Sequence, residues 1–147
     1  MSISDDFDLQ NFLPYLLNQA AEESSLAFQQ VYKGRYGMLR TEWRVLFHLG
    51  IYGRMTAREI GHRSKMHKTK ISRAVAKLAE RRFVTRERDE DDRRLELLEL
   101  TQAGQRAYRD LRQVAMAYDA KLSARFSDEE NALLRRLLRQ LGESGAG

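Results

Sequence analysis

The sequence of 147 residues contains no cysteine and only one proline. Without cysteine, disulfide bonds, thiolate metal sites and cysteine-based peroxide sensing are excluded. No apolar run approaches the roughly 20 residues that a membrane-spanning helix needs, and the first residues lack the pattern of a secretory signal peptide. These absences favour a cytoplasmic protein, and the 42% hydrophobic content suffices for one ordinary core.

Acidic residues are absent between Glu59 and Glu80, whereas the same interval holds six lysines and arginines. Residues 54–94 contain fourteen lysines and arginines against seven acids, while the rest of the chain has twelve against fourteen. The net charge of +5 is therefore concentrated in one stretch, as expected for a protein that binds nucleic acid through one surface. A solvated basic surface without a partner is the alternative interpretation.

The centre of the basic stretch, residues 68–78, has the periodicity of an amphipathic helix. Its apolar positions fall on one side and its small, polar and basic positions on the other. Because an α-helix fits the major groove of B-DNA, such an outward face can reach base edges. The predicted core face consists of Ile71, Ala74, Val75 and Leu78, and the outward face of Thr69, Ser72, Arg73 and Ala76, flanked by Lys70 and Lys77.

The segments around this helix complete a helix-turn-helix with a wing. Upstream, Thr56 and Glu59 have the spacing of a capping box, which predicts the start of a preceding helix. Downstream, residues 83–88 and 95–100 are predicted strands, joined by the charged turn 89–94. Helix, turn, helix and charged hairpin in this order describe a winged helix-turn-helix.

Long helices are predicted at both ends of the chain. The first spans residues 5–36 and becomes regular near Leu13, because Pro14 fits a first helical turn, and Gly34 and Gly37 then break it. The remaining helices are predicted over 40–53, 101–126 and 127–141, the last with a capping box from Ser127 to Glu130 and a stop at Gly142.

The fold class is thus mainly α with a small β wing. We divide the chain into an N-terminal dimerisation helix (1–36), a winged helix-turn-helix (37–100), C-terminal dimerisation helices (101–142) and a disordered tail (143–147). A small winged helix can fold without such additions, so we expect the terminal helices to bury their apolar stripes against a second subunit. In the alternative, they wrap their own monomer. The predicted interface comprises Phe7, Leu9, Leu13, Leu122, Phe126, Leu134, Leu138 and Leu141.

Four local patterns together resemble the MarR family of bacterial transcription regulators. They are residues 43–46, the recognition-helix pattern around 68–73, the wing pattern of Asp89, Asp92 and Arg94, and the Leu-Thr-x-x-Gly start of a helix at 100–104. The resemblance implies a two-fold homodimer that binds pseudo-palindromic operators on double-stranded DNA. Many members of the family release DNA when a small, often aromatic, ligand binds.

The resemblance also implies roles for single residues. It places Lys68, Thr69, Lys70, Ser72 and Arg73 in the major groove and Arg94 in the minor groove, with Asp92 steadying the wing. Arg63, Lys65 and Lys68 are expected to contact phosphates. The sequence departs from the family at Lys65, where glycine is frequent, and at His67, where serine is frequent, so the start of the recognition helix is left open.

Two further expectations concern the wing and a ligand. The four acids at 89–92 would repel DNA unless Arg86, Arg88 or Arg93 neutralises some of them, and we expect Asp92 to pair with an arginine. The family's effector pocket would here be lined by Phe12, Leu16, Tyr32, Trp43, Phe47 and Tyr108, although aromatic residues at helical spacing are often plain core. His48, His62 and His67 do not cluster as metal ligands, and we expect no metal and no cofactor.

The sequence favours a dimeric, sequence-specific DNA-binding regulator, most simply a repressor that a small ligand releases from its operator. The second hypothesis is an architectural DNA-binding protein of low specificity, which would bind all duplexes equally with a steep salt dependence. An enzyme is not supported, because the sequence shows no nucleophile–base pair, phosphate-cradling glycine loop or metal set. The acid-free outward face argues against a winged helix that contacts only proteins.

Overall fold

The computed structural model describes residues 6–143 of the chain. Residue 5, where the first helix was predicted to begin, and residues 144–147 of the predicted tail lie outside this range. A short 3-10 turn at Leu9–Asn11 precedes helix α1 (Leu13–Tyr36), and Pro14 lies in the first turn of α1 as predicted. Helix α2 spans Arg40–Tyr52.

The helix-turn-helix and its wing follow directly. Strand β1 (Met55–Thr56) leads into α3 (Ala57–Ser64), and α4 spans Lys68–Glu80. Strands β2 (Val84–Arg88) and β3 (Glu96–Leu100) form the wing hairpin, after which come α5 (Gln102–Ser123) and α6 (Asp128–Gly142). The prediction of a mainly α fold with a small β wing is confirmed.

The sheet has the antiparallel order β1-β3-β2, so the strand with the least regular sequence is the central one. Leu98 and Leu100 point into the core, while Glu99 on the other face is exposed. Leu97 shares that outer face but pairs with Thr56 on one side and Glu87 on the other, and it is half-buried. Flanking strands on both sides therefore explain why β3 does not alternate cleanly between apolar and polar residues.

The core joins the helix-turn-helix to the sheet. Fully buried side chains come from α2 (Leu46, Leu49), α3 (Ile60), α4 (Ile71, Leu78), β3 (Leu98) and α5 (Leu111). The chain divides into two compact units, Met1–Gln113 and Val114–Gly147, so this core lies wholly in the first unit. The division at residues 36, 100 and 142 that we derived from the sequence stays a prediction.

Glycines end these helices differently from the prediction. Gly34 lies inside α1, so a helix break at this residue is wrong; a single glycine in a helix costs only about 1 kcal/mol relative to alanine. Gly37 does end α1, in the left-handed conformation with φ 63°. Gly142 is the last residue of α6, and Glu143 is its C-cap. At the start of α6, both hydrogen bonds of the predicted capping box between Ser127 and Glu130 are present.

The Leu-Thr-x-x-Gly pattern closes the base of the wing. The Thr101 hydroxyl donates to the Arg82 carbonyl at 2.7 Å and accepts from the Gly104 N–H at 3.0 Å, which starts α5. A Cβ atom at Gly104 would lie 2.1 Å from the Phe83 carbonyl oxygen. Only glycine permits this close approach of α5 to the chain that enters β2.

Candidate nucleic-acid interface

The turn between α3 and α4 uses two residues that depart from the expected types. Lys65 adopts the left-handed conformation (φ 60°) and its N–H bonds to the Gly61 carbonyl at 2.9 Å, ending α3. His67 caps α4, because its Nδ1 accepts a hydrogen bond from the Thr69 N–H at 3.2 Å. The imidazole thus substitutes for a serine cap, and α4 begins at Lys68.

Helix α4 has the two faces that its periodicity predicted. Its core face of Ile71, Ala74, Val75 and Leu78 is at most 3% exposed. Its outward face is exposed throughout and consists of Lys68, Thr69, Lys70, Ser72, Arg73, Ala76 and Lys77. The helix is therefore held by its apolar side while its small, polar and basic side chains face solvent.

The cations of the outward face are mostly free of acidic partners. Lys77 lies 3.9 Å from Glu80 in an exposed i,i+3 pair. Within residues 6–143, no carboxylate lies within ion-pair distance of Lys68, Lys70 or Arg73. These three charges are available to a phosphate or to a base edge.

Helix α2 supports the basic end of α3. The Arg63 guanidinium lies over the Tyr52 ring, 3.9 Å from its centroid, which is a cation–π geometry. The Arg44 side chain donates to the Ser64 carbonyl at 3.0 Å, and the Ser64 hydroxyl accepts from the Met66 N–H at 3.1 Å. Sequence reasoning missed Tyr52 and Arg44, because both act through neighbours that are distant in the chain.

The wing tip contains an ion pair between Asp92 and Arg94, which are two residues apart in the chain. Arg94 donates from Nε and Nη2 to the two oxygens of Asp92 at 3.0 and 3.1 Å, and its backbone N–H also bonds to Asp92. Hydrogen bonds from Arg94 hold the pKa of Asp92 below its usual value. The Arg94 side chain is nevertheless 90% exposed. The arginine that pairs with Asp92 is thus also the one that projects from the wing.

The other wing arginines do not neutralise the acidic turn. Arg86 pairs with Glu96 at 3.1 Å, and Arg88 donates to the Arg93 carbonyl at 2.8 Å. Asp89 instead accepts from the Asp91 N–H at 2.9 Å. Among the described residues, none of Arg86, Arg88 and Arg93 forms an ion pair with the acids at 89–92, so the expected compensation is wrong. Two of the acids, Asp89 and Asp92, instead accept hydrogen bonds from backbone amides of the turn.

Four of the six residues proposed for a ligand pocket lie together. Tyr32, Trp43, Phe47 and Tyr108 pack mostly edge to face, with ring centroids 5.1 Å apart for Trp43 and Phe47 and 5.2 Å apart for Phe47 and Tyr108. Phe28, which the sequence analysis did not select, contacts three of them. The rings form a packed aromatic cluster.

The other two proposed pocket residues lie outside this cluster. Phe12 and Leu16 are 43% and 40% exposed, and the ring that contacts Phe12 is Phe7, at 5.0 Å between centroids. They belong with the apolar surface at the start of the chain. Their placement gives no support to a role beside Trp43.

Apolar side chains are exposed at both ends of the chain. In the first unit, Phe7, Leu9 and Leu13 are 45–57% exposed around the start of α1. In the second unit, the amphipathic helix α6 leaves its leucine stripe exposed to solvent. Of the predicted interface residues in this unit, Leu122 is half-buried, and the exposed ones are Phe126, Leu134, Leu138 and Leu141. Exposed apolar surface of this kind is typical of interaction sites, and the dimer interface stays a prediction.

The histidines serve as local structural groups where their contacts are defined. His48 Nδ1 lies 2.6 Å from the Arg44 carbonyl, and His67 caps α4. In the described part of the chain, no three histidine or acidic side chains are grouped to hold a metal ion. None of the helices between residues 6 and 143 combines the length and apolar character needed to cross a bilayer.

Comparison with known proteins gives a consistent result. Residues 36–95 match the profile of the MarR family. The uncharacterized HTH-type transcriptional regulator YwoH of Bacillus subtilis (strain 168) is 28% identical over 104 residues, which make up 71% of this chain and 75% of YwoH.

Two solved structures are similar over almost the whole chain. The PcaV transcriptional regulator from Streptomyces coelicolor, in complex with its natural ligand, has a TM-score of 0.83 at 23% identity, covering 96% of this chain and 99% of PcaV. A MarR mutant from E. coli, complexed with operator DNA, has a TM-score of 0.82 at 20% identity, covering 94% of this chain and 99% of MarR. At these identities the likeness shows the fold alone.

Proposed function

We propose that the chain is a MarR-family transcriptional regulator, and that it is a homodimeric repressor that a small aromatic ligand releases from its operator. The proposed regulator acts by binding DNA, and we propose no enzymatic activity for it. The observation that carries the proposal is the outward face of α4, which is exposed and basic on a helix anchored by its apolar side. A protein with this role acts in the cytoplasm, where its DNA lies.

The proposed contacts divide into reading and positioning groups. Arg73 lies on the outward face without an acidic partner, and a guanidinium can bond to O6 and N7 of guanine together. Thr69, Lys70 and Ser72 share that face, and Lys77 lies at its edge. Arg63, Lys65 and Lys68 contact phosphates, which set the register without reading sequence. MarR, a structural neighbour, was solved in complex with operator DNA.

The proposed wing contact follows from the geometry of Arg94. Its bidentate pair with Asp92 restricts the guanidinium before DNA arrives, so less conformational entropy is lost on binding. An arginine in the minor groove favours the narrow groove of A·T-rich sequence. The wing therefore contributes preference for DNA shape, whereas α4 contributes preference for individual bases.

A homodimer accounts for the apolar surface at the two ends of the chain. The exposed leucines of α6 and the exposed phenylalanine and leucines around the start of α1 would lose contact with water in a two-fold interface. Such a dimer presents two α4 helices roughly 34–36 Å apart, which matches half-sites one turn of DNA apart.

The proposed ligand enters at the aromatic cluster. Trp43, Phe47 and Tyr108 are half-buried, so a planar ligand can reach them from solvent, whereas Tyr32 is 2% exposed. A tyrosine hydroxyl is protonated at neutral pH, and burial raises the pKa of Tyr32 further, so this hydroxyl can donate a hydrogen bond to a ligand. The ligand must displace one of the edge-to-face rings, because the cluster is already packed. PcaV, a structural neighbour, was solved with its natural ligand.

The test is a binding measurement with matched DNA. Fluorescence anisotropy compares duplexes from the promoter regions beside the protein's own gene with scrambled duplexes of equal composition, over a series of salt concentrations. We expect the chain to bind the promoter duplexes about 10³-fold or more tightly than the scrambled ones. We also expect phenolic acids that raise the melting temperature of the protein to release it from the promoter duplexes. Equal affinity for all duplexes with a steep salt slope would instead identify an architectural protein.

A further inference from the structure

One side chain ties the end of α4 to the end of α1. Arg81 follows the last residue of α4, and its backbone N–H bonds to the Lys77 carbonyl at 3.1 Å. Its Nη1 donates to the Tyr36 carbonyl at 2.8 Å and also to the Gly37 carbonyl. The last carbonyls of a helix have no partner within the helix, so a cation there satisfies them and opposes the helix dipole.

A buried carboxylate from α2 faces the same guanidinium. Glu42 is 2% exposed, and its Oε1 lies 3.9 Å from Arg81 Nη1 without a hydrogen-bond partner in the described structure. Burial raises the pKa of Glu42, while the charges of Arg81 and Lys77 oppose that shift. A buried carboxylate of this kind is costly unless a positive charge stays beside it, so it favours the conformation in which Arg81 remains in place.

The space for Arg81 depends on a glycine. Gly37 has φ 63°, and a Cβ atom there would lie 2.8 Å from Arg81 Nη1. Any larger residue would therefore be strained by its backbone and would also push the guanidinium out of position. The Nη1 atom of Arg81, at the end of α4, is thus close to residues at the end of α1 and in α2.

The geometry points to a joint, made by Arg81, Glu42 and Gly37, that sets the orientation of the recognition helix relative to α1. The end of α1 is also held by Asp110 of α5, which accepts from Arg35 and Tyr36 at 2.9 and 2.5 Å. With that contact in place, Arg81 holds the end of α4 against the end of α1, in addition to the apolar packing of the core face of α4. Arg81 and Glu42 are positioning residues, since neither belongs to the outward face of α4.

The consequence for DNA rests on the proposed function. In a homodimer built on the terminal helices, the separation of the two α4 helices depends on how each α4 is held against its own α1. A loosened joint would therefore weaken the preference for one half-site spacing, while each single half-site would still be read by the same outward face.

The joint itself is tested without DNA. Because the chain has no cysteine, Glu23→Cys in α1 and Ala76→Cys in α4 place two spin labels at exposed positions, and dilution with unlabelled chain isolates the intramolecular distance. Pulsed electron paramagnetic resonance then measures the distance distribution. We expect one narrow distribution for the parent chain, a broad or shifted one for Arg81→Gln, an intermediate one for Glu42→Gln, and partial recovery for Arg81→Lys.

The adjacent arginine provides the matched control. Within residues 6–143 the Arg82 side chain is exposed and makes no hydrogen bond or ion pair, so Arg82→Gln removes the same charge without touching α1. The proposal is wrong if Arg81→Gln leaves the distribution unchanged or if Arg82→Gln broadens it equally. Should Arg81→Gln fail to fold, as judged by circular dichroism, Glu42→Gln and Arg81→Lys decide by the same criterion.

A second measurement tests the consequence. Affinity is compared between the operator and the same operator with its half-sites moved apart by one base pair. We expect the parent chain to lose about tenfold on the altered spacing, as for one mismatched base pair, and Arg81→Gln to lose much less. If the parent chain binds neither duplex, the proposed function is contradicted, whereas the result of the distance measurement is unaffected. If Arg81→Gln keeps the spacing preference of the parent chain, the role of the joint in spacing is refuted.

Discussion

At the scale of single residues, Arg73 differs from its basic neighbours in what its head group can recognise. Lysine presents a point charge, whereas the guanidinium of Arg73 can bond to two acceptors of one guanine at once. Arg73 is exposed on the outward face and has no acidic partner in the described structure, so its side chain is free to meet a base.

We predict that Arg73→Ala weakens operator binding by about 1–3 kcal/mol and relaxes preference at one base pair. Anisotropy with operators substituted one base at a time measures both effects. Lys77→Ala is the matched control, because a residue at the edge of the face should weaken operator and scrambled DNA alike. Equal losses for Arg73→Ala on operator and scrambled DNA would exclude base reading.

At the scale of elements, the start of α4 depends on an uncommon cap. The first turn of α4 carries lysines and no acidic residue that would interact favourably with the helix dipole. The hydrogen bond from the Thr69 N–H to His67 Nδ1 is therefore the side-chain contact that stabilises this end of the helix. We predict that His67→Ala lowers the free energy of unfolding by about 1 kcal/mol, whereas His67→Ser preserves or raises it. Urea denaturation of the two variants measures the difference. An identical midpoint for alanine and serine would show that the imidazole bond contributes nothing.

The link between α1 and α5 should depend on pH. The Tyr36 hydroxyl donates to Asp110 at 2.5 Å, and burial together with this carboxylate raises the pKa of Tyr36 to about 12. The hydroxyl of an unfolded chain loses its proton near pH 10, so between pH 10 and 12 the unfolded state binds fewer protons than the folded state. The stabilisation by Tyr36 is therefore complete below pH 10 and declines as pH rises toward 12.

We predict that the free energy of unfolding falls across this interval in the parent chain and falls less in Tyr36→Phe, which keeps the ring against Phe83. Denaturation at several pH values, with ultraviolet detection of tyrosinate, measures both the stability and the titration. Tyr15→Phe is the control, since its hydroxyl accepts from Gln19 on the same exposed helix face. Equal pH dependence in the parent chain and Tyr36→Phe would contradict the assignment.

Local signals in the sequence were sufficient for most elements. The periodicity of 68–78, the cap at Ser127 and the strand pair of the wing depend on neighbouring residues, and all three are present in the structure. Strand β1 was missed because two residues become a strand only by pairing with β3. The contacts of Tyr52 with Arg63 and of Glu42 with Arg81 join residues far apart in the chain, which periodicity does not encode.

At the scale of the whole molecule, the proposed function depends on two copies of α4 held at one separation. In the proposed dimer, the exposed leucine stripe of α6 would form the surface for pairing, and Leu138 is 44% exposed in the single chain. A charge placed in that stripe would have to be buried without a partner on dimerisation, which is strongly unfavourable.

We predict that Leu138→Glu yields a folded monomer at micromolar concentration and weakens operator binding by about 10²–10⁴-fold, because the second half-site is no longer bound at high effective concentration. Light scattering and anisotropy measure the two effects, and circular dichroism establishes that the helices persist. Gln140→Glu adds the same charge to an exposed position outside the leucine stripe and should remain dimeric. A parent chain that is itself monomeric, or a Leu138→Glu variant that still pairs, would show that α6 does not form the interface.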